Sequence, residues 1–326
     1  MQHNLTPILD FLKKEDKFLV AGHFAPDGDA IGATVAAGFL LQRLGKRFVL
    51  YNESGLPERF QWLELPAPIC SELPQSIPTN VIIVDSGDAY RVGEALESHL
   101  QQCRVLNIDH HLGNPEFGEL NWVDPGRSSV GEMIGELALE LGFSLDGGLG
   151  AAVYLALVTD SGYFSYGNTR PRTMEMAAEI LRCGLDPGTF NALVKNQRTA
   201  NQLRLHALAL QELRMHSQGR IAVVSVSQKM FKQTHTDSSA CEDLVSSVLQ
   251  IKGVLAALSL REEQDGQTKF SLRSFGNTDI RTTASHFGGG GHRNAAGGKM
   301  AASLQQAEDM IVRHLQQALF HKEIVD

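Results

Sequence analysis

Cysteine is scarce in this chain. Four residues in 326, Cys70, Cys103, Cys183 and Cys241, lie scattered with no CxxC and no short spacing. That excludes a disulfide framework and a thiolate zinc knuckle, and points to a reducing cytoplasm. An excess of basic charge is also missing: 29 Lys and Arg face 37 Asp and Glu, for a formal net charge of -8. Broad, sequence-independent binding of duplex DNA rests on neutralising phosphates and is therefore not expected. A short anionic substrate stays open, because a metal cluster and a few local arginines supply positive charge that the overall count hides. No stretch approaches the roughly 20 apolar residues of a membrane span. The N-terminal Met1–Pro7 lacks the basic region and apolar run of a signal peptide. No repeat or low-complexity tract is present. With 43% hydrophobic and 20% charged residues, the chain has the composition of a soluble globular protein. Its length exceeds the usual size of one core, so two domains are expected.

What the chain does have is a repeated design. The apolar run Arg104–Ile108 ends in Asp109-His110-His111; Phe18–Gly22 runs into His23-Phe-Ala-Pro-Asp27-Gly-Asp29; Val81–Val84 runs into Asp85-Ser-Gly-Asp88. Each reads as a buried strand whose carboxyl end opens onto a site, which is where open α/β sheets bind ligands. Tyr154–Val158, before Thr159-Asp160, repeats the design in sequence, although 148–158 also reads as helix.

Elements placed in order give a helix over 5–14, a strand over 17–22, a helix over 30–44 closed by Gly45, and a strand over 47–51. The Pro-rich 53–80 reads as a loop with one short helix. A strand at 81–84, a helix near 90–101, a strand at 104–108 and an extended piece at 120–123 follow. Ser129 is a helix N-cap with Glu132 in capping-box spacing. Helices are expected to about 141, over 148–158, from Pro171 to Cys183, and from Asp186-Pro187 onward. Strands alternating with helices imply a parallel sheet with right-handed crossovers. Helical periodicity from Thr189 to about Met215 suggests a connector. The second part has a strand at 220–226, a helix at 239–251, a hairpin of 254–262 with 267–274, and a closing helix over 302–320. The fold class is therefore α/β, a parallel-sheet domain over 1–190 and a smaller α/β domain over 217–326. The connector 191–216 joins them, and a cleft lies between.

His23, Asp27, Asp29, Asp85, His110 and Asp160 carry the chemistry. Four carboxylates at one sheet edge repel one another unless they are protonated or neutralised by cations. Two divalent ions fit, with one carboxylate shared between them, in an arrangement suited to phosphoryl transfer. A His/Asp donor set without thiolate favours Mn²⁺ over Mg²⁺, Co²⁺ or Zn²⁺. In the second domain the run Gly288-Gly289-Gly290-Gly291-His292 offers backbone that approaches a ligand closely. It is neither a P-loop nor a dinucleotide fingerprint. Together with Arg261, Arg273 and Ser274 it forms a candidate anion grip.

These motifs resemble those of the DHH-family phosphoesterases: His23–Gly32, Val84–Asp88, Asp109–Asn114 and Thr159–Phe164, in that order, with Gly288–Gly297 similar to the signature of the associated DHHA1 domain. The resemblance spans nearly the whole chain and is nearest the compact branch of oligoribonucleases that also act on pAp. It implies that His23 and Asp27 bind one metal and Asp29, His110 and Asp160 the other, with Asp85 bridging. His111 would sit at the scissile phosphate, and Asp109 would orient an imidazole. A two-metal-activated water would hydrolyse short single-stranded oligoribonucleotides to mononucleotides and remove the 3′-phosphate of pAp. The DHHA1 domain would grip the distal phosphate. A homodimer is compatible with this reading. The departure from the pattern is Arg127 and Val130 around the paired serines Ser128-Ser129; Arg127 is either an extra phosphate contact or a surface charge. Rival readings are an inorganic pyrophosphatase, a cyclic-dinucleotide phosphodiesterase and a non-catalytic nucleotide-binding regulator.

Overall fold

The computed structural model describes residues 4–241 and 243–320; the side chains of His292 and of 318–320 lie outside the described set. The chain forms two compact units, Met1–Gln197 and Arg198–Asp326.

The first unit runs α1 (Thr6–Lys14), β1 (Phe18–Ala21), α2 (Gly28–Arg43), β2 (Phe48–Tyr51), β3 (Ile69–Cys70), β4 (Asn80–Val84), α3 (Glu94–Leu100), β5 (Arg104–Asp109), β6 (Leu120–Val123), α4 (Val130–Glu140), α5 (Gly147–Asp160), α6 (Pro171–Arg182) and α7 (Pro187–Lys195). Its six strands lie in the order β3-β2-β1-β4-β5-β6, and every pair is parallel. The apolar runs are continuous because β1 and β4 are buried along their whole length, with no solvent face to demand alternation. Small residues set the helix packing: a Cβ on Gly32 of α2 would come within 2.6 Å of the Ala152 carbonyl oxygen on α5.

Several local expectations change. The segment 53–80 contributes the two-residue edge strand β3 besides a short 3₁₀ turn at Glu58–Phe60. The helix near 90–101 is split at Gly93, whose φ of +95° breaks a 3₁₀ turn from α3. Ser129 caps α4 by accepting from the Glu132 amide, but the Glu132 carboxylate bonds the Ser128 hydroxyl instead of completing a capping box. Tyr154–Val158 belongs to α5, so three strand ends, not four, supply the site. The periodic stretch 189–215 is not one connecting helix. It breaks between α7 and α8 (Ala200–Gln211), where Thr199 starts a new N-cap.

The second unit continues with β7 (Arg214–His216), β8 (Ile221–Val226), α9 (Gln228–Thr234), α10 (Leu244–Leu249), β9 (Ala256–Glu262), β10 (Thr268–Ser274), α11 (Arg281–His286), β11 (Gly290–His292), β12 (Ala295–Met300) and α12 (Leu304–Phe320). The helix expected over 239–251 is a 3₁₀ turn at Ser238–Cys241 followed by the shorter α10. The sheet order is β11-β12-β10-β9-β8-β7, antiparallel except for the β8–β9 pair. One face packs Leu258, Phe270 and Leu272 against Ile311 and Leu315 of α12. The other packs Ala222 and Val224 against Leu205 and Leu244, which makes α8 part of this core. Among the described residues no helix is long and apolar enough to cross a membrane.

Candidate metal centre

The strand order reverses between β1 and β4, and crevices at such switch points, outside the carboxyl ends of strands, are where doubly wound sheets bind ligands. The loops after β1, β4 and β5 all emerge there, and the last turn of α5 joins them. They bring together all six residues of the expected acidic-histidine set. Groups of ligand atoms mutually within 4.8 Å form from His23, Asp27 and Asp85, and from Asp29, His110 and Asp160.

Asp85 stands between the two groups. One of its oxygens, Oδ2, lies 3.8 Å from His23 Nε2, and the other, Oδ1, lies 3.6 Å from His110 Nε2. The side chain is 2% exposed, and Oδ1 has no hydrogen-bond partner among the described residues. Its backbone occupies the left-handed region (φ 53°), held by a bond from its amide to the Ile108 carbonyl.

Both histidines are oriented the same way. His23 Nδ1 is 2.8 Å from the Phe24 carbonyl, and His110 Nδ1 is 3.2 Å from the Arg127 carbonyl. A carbonyl only accepts, so Nδ1 carries the hydrogen and Nε2 of the neutral ring turns a lone pair inward. For His110 that lone pair faces Asp29 Oδ2 at 3.7 Å, Asp160 Oδ2 at 3.7 Å and Asp85 Oδ1. Lone pairs and carboxylates pointed at one another are repulsive until a cation sits among them, and backbone-anchored imidazoles are the usual form of metal-ligating histidine. Donor atoms 3.6–3.8 Å apart also leave room for a cation among them. The residues fit a pair of divalent ions.

Electrostatics agree. Burial, then Asp29, Asp27 and Asp160, raise the Asp85 carboxyl well above the usual range. Burial pushes Asp29 up to about 7, with Asp160 and Asp27 adding to it against the pull of His110. Asp160 is raised chiefly by burial. Burial opposes a charge on His110, but Asp29 and Asp160 outweigh it and raise its pKa. Asp27, 58% exposed, is pulled down to about 2, because His23 and the amides of Ala30 and Asp29 outweigh the burial of its surroundings. It also caps α2 through those amides, while its carboxylate stays within reach of His23 and Asp85.

His111 is beside the centre, with Nδ1 2.8 Å from Asp109 Oδ1 and 3.6 Å from Asp85 Oδ1. Asp109 touches neither group of ligands; it is fully buried and also accepts from Asn114. Sequence reasoning missed the supporting amides, Asn114, Asn168 and Asn52, of which Asn168 reaches Asp160 and Asn52 bonds the His23 carbonyl. It also left Arg127 as surface charge or phosphate contact. Its side chain is 11% exposed and is paired with Asp124 and Glu136.

In the second unit, Arg261 and Arg273 line a cavity of about 500 Å³ with Lys269, Ser259, Ser271 and Ser238. Lys269 was not anticipated, yet period-2 alternation along β10 puts it on the face of Arg273. The same alternation turns Ser274 to the opposite face, where it bonds the Thr278 carbonyl. Gly289 and Gly291 answer to close packing: added Cβ atoms would meet the Gly297 and Ala295 carbonyl oxygens at 2.3 and 2.5 Å. Gly290 faces open space; it pairs with Gly297, which pairs with Ser271, a row of small residues leading to the cavity wall. The His292 side chain lies outside the described residues.

Comparison with known proteins gives a consistent picture. The DHH family N-terminal domain matches residues 17–157, and the DHHA1 domain matches 218–319. The bifunctional oligoribonuclease and PAP phosphatase of Thermus thermophilus is 28% identical over 94% of this chain and 91% of its own length. The Bacillus subtilis protein of the same name is 27% identical over 90% and 92%. In fold, a crystal structure of an exopolyphosphatase-related protein from Bacteroides fragilis matches with a TM-score of 0.88 at 23% identity, covering 96% of this chain and 95% of that one.

Proposed function

For this chain, which belongs to the DHH family of phosphoesterases and carries a DHHA1 domain behind its DHH domain, we propose metal-dependent hydrolysis of short oligoribonucleotides and of pAp, the substrates named for its relatives. The observation that carries this reading is Asp85, a buried carboxylate with one oxygen toward each of two His/Asp groups. His23, Asp27 and Asp85 would hold one ion; Asp29, His110 and Asp160, with Asp85, the other. Manganese suits this thiolate-free donor set best. When bound, two divalent ions supply Lewis-acid polarisation of a phosphoryl oxygen and a nucleophile available at neutral pH.

The chain's own groups do the rest. His23 and His110 are locked with Nε2 inward, and Asp29 is fixed by main-chain amides. His111, held by Asp109 through its Nδ1–H, turns its Nε2 away from that carboxylate; only the protonated ring has a hydrogen there to give to a phosphate oxygen or to the leaving group. Residues 1–190 act as the catalytic domain. Residues 217–326 act as the substrate domain, in which Arg261, Lys269 and Arg273 bind a phosphate that does not react.

The test is hydrolysis of pAp, a diribonucleotide, a longer RNA and pyrophosphate, with Mn²⁺ and with chelator. Metal-dependent release from pAp and the dinucleotide, with little from the others, is the expected result. Cleavage of pyrophosphate alone would overturn the substrate assignment.

A further inference from the structure

Behind the metal centre lies a buried ion network that none of the six proposed ligands belongs to. Glu132, 1% exposed, accepts from the Ser128 hydroxyl at 2.8 Å and the Thr173 hydroxyl at 2.9 Å through Oε2. Its Oε1 faces Arg127 Nη1 at 3.4 Å and Arg172 Nε at 3.8 Å. Arg127 in turn pairs with Asp124 and Glu136 and lies over the Trp122 ring, 5.5 Å from its centroid.

The segment this network grips, residues 127–131, is the one on which half of the metal centre hangs. The Arg127 carbonyl takes His110 Nδ1. The Ser128 carbonyl takes Asn168 Nδ2 at 3.1 Å, and that amide also bonds the Asp160 carbonyl at 3.1 Å. The Val130 and Gly131 amides donate to the two oxygens of Asp29 at 2.7 and 2.9 Å. Three residues of one ligand group thus take their positions from one short piece of backbone. The other group does not: His23 is set by the Phe24 carbonyl and Asn52, and Asp27 by the first amides of α2.

We propose that Glu132 is a positioning residue for one of the two metals only, fixing the 127–131 turn so that Asp29, His110 and Asp160 converge. The proposal rests on the two-metal reading above. It follows from the asymmetry of the bonds: loosening the turn displaces one ligand group and leaves the other anchored. Glu132→Gln keeps the size of the side chain but removes the charge facing two guanidinium groups and replaces an oxygen that accepts from two hydroxyls with an NH₂ group.

The experiment is calorimetric titration of the full chain with Mn²⁺, alongside thermal unfolding of the same samples. Wild type should bind two ions. Glu132→Gln should retain one with affinity within about threefold and bind the other about 10- to 100-fold more weakly, the range typical of lost support behind metal ligands. Ser128→Ala, which deletes a single donor to Glu132, should weaken the same ion by a smaller factor, and it carries the test should Glu132→Gln fail to fold. Two undisturbed affinities in the variants would overturn the proposal. So would equal weakening of both ions in step with a lower Tm, which is what a merely structural role produces. A wild-type chain that binds no pair of ions would instead overturn the metal-centre reading on which the proposal rests.

Discussion

His111 Nδ1 lies 2.8 Å from Asp109 Oδ1, while the other oxygen of Asp109 accepts from Asn114 Nδ2 at 2.6 Å. Burial would raise the Asp109 carboxyl, but the His111 and Asn114 bonds outweigh it and hold the group below its ordinary range. The carboxylate is therefore ionised at neutral pH, and it fixes both the tautomer and the direction of the imidazole. Asp109→Asn must offend one neighbour, since its amide group meets either the donor of Asn114 or the N–H of His111. A fall in kcat of about 10²-fold is expected, with two Mn²⁺ still bound. Steady-state kinetics with metal titration checks this; an unchanged kcat would remove His111 from the reaction.

Asp85→Ala removes the carboxylate that, among the described residues, has one oxygen toward each ligand group. Turnover should fall by about 10³-fold or more. Near-normal kcat, measured on pAp with saturating Mn²⁺, would refute the shared-ligand assignment.

Asp29 titrates near 7 in the folded chain without metal, against 3.8 for an ordinary Asp, and Asp85, Asp160 and His110 are raised as well. Between about pH 4 and pH 7 the metal-free folded chain holds protons that the unfolded chain has released. The stability these four groups contribute is then greatest at the acid end of that window and is lost as pH rises through it. A bound cation favours the ionised carboxylates and reverses the trend. The gap in Tm between Mn²⁺-loaded and chelator-treated protein should widen from pH 5.5 to pH 8. A constant gap in thermal-shift scans would contradict it.

Arg273 lines the cationic cavity, whereas Ser274 points to the opposite face of the sheet. Arg273→Ala should raise KM for pAp by about tenfold with little change in kcat, as loss of uniform binding does. Ser274→Ala should leave both parameters within about twofold, because the hydroxyl only braces the Thr278 carbonyl. A kcat collapse in the first variant would move Arg273 into the reacting site.

The legible part of the site was the part written locally. Strands β1, β4 and β5 are apolar runs with acids or histidines at their carboxyl ends, so sequence order alone lines up His23, Asp85 and His110. Asp160 was legible as a residue but ambiguous in its element. Helix α5 is buried almost all round and so has no polar face to mark a helical period. Ser274 was misplaced although alternation along β10 carried the signal. The supports of Asp29 were out of reach: its amide partners lie 101 and 102 residues away, and nothing local announces such a bond. For the same reason Glu132 reads in sequence only as a capping-box partner of Ser129, and Arg127 only as a surface charge or a phosphate contact.

Two helix ends of opposite polarity meet at the centre. Helix α4 turns its amino end on Asp29 through the Val130 and Gly131 amides, and α5 carries Asp160 on its carboxyl end. Asp29 cannot swing without breaking two main-chain bonds. Asp160, 31% exposed, is held at its carboxylate by one long contact from Asn168 at 3.4 Å. The pocket therefore has a fixed wall and a yielding jamb. A cation held between them would meet its least restrained ligand at Asp160, on the end of a helix, and its most rigid one at Asp29.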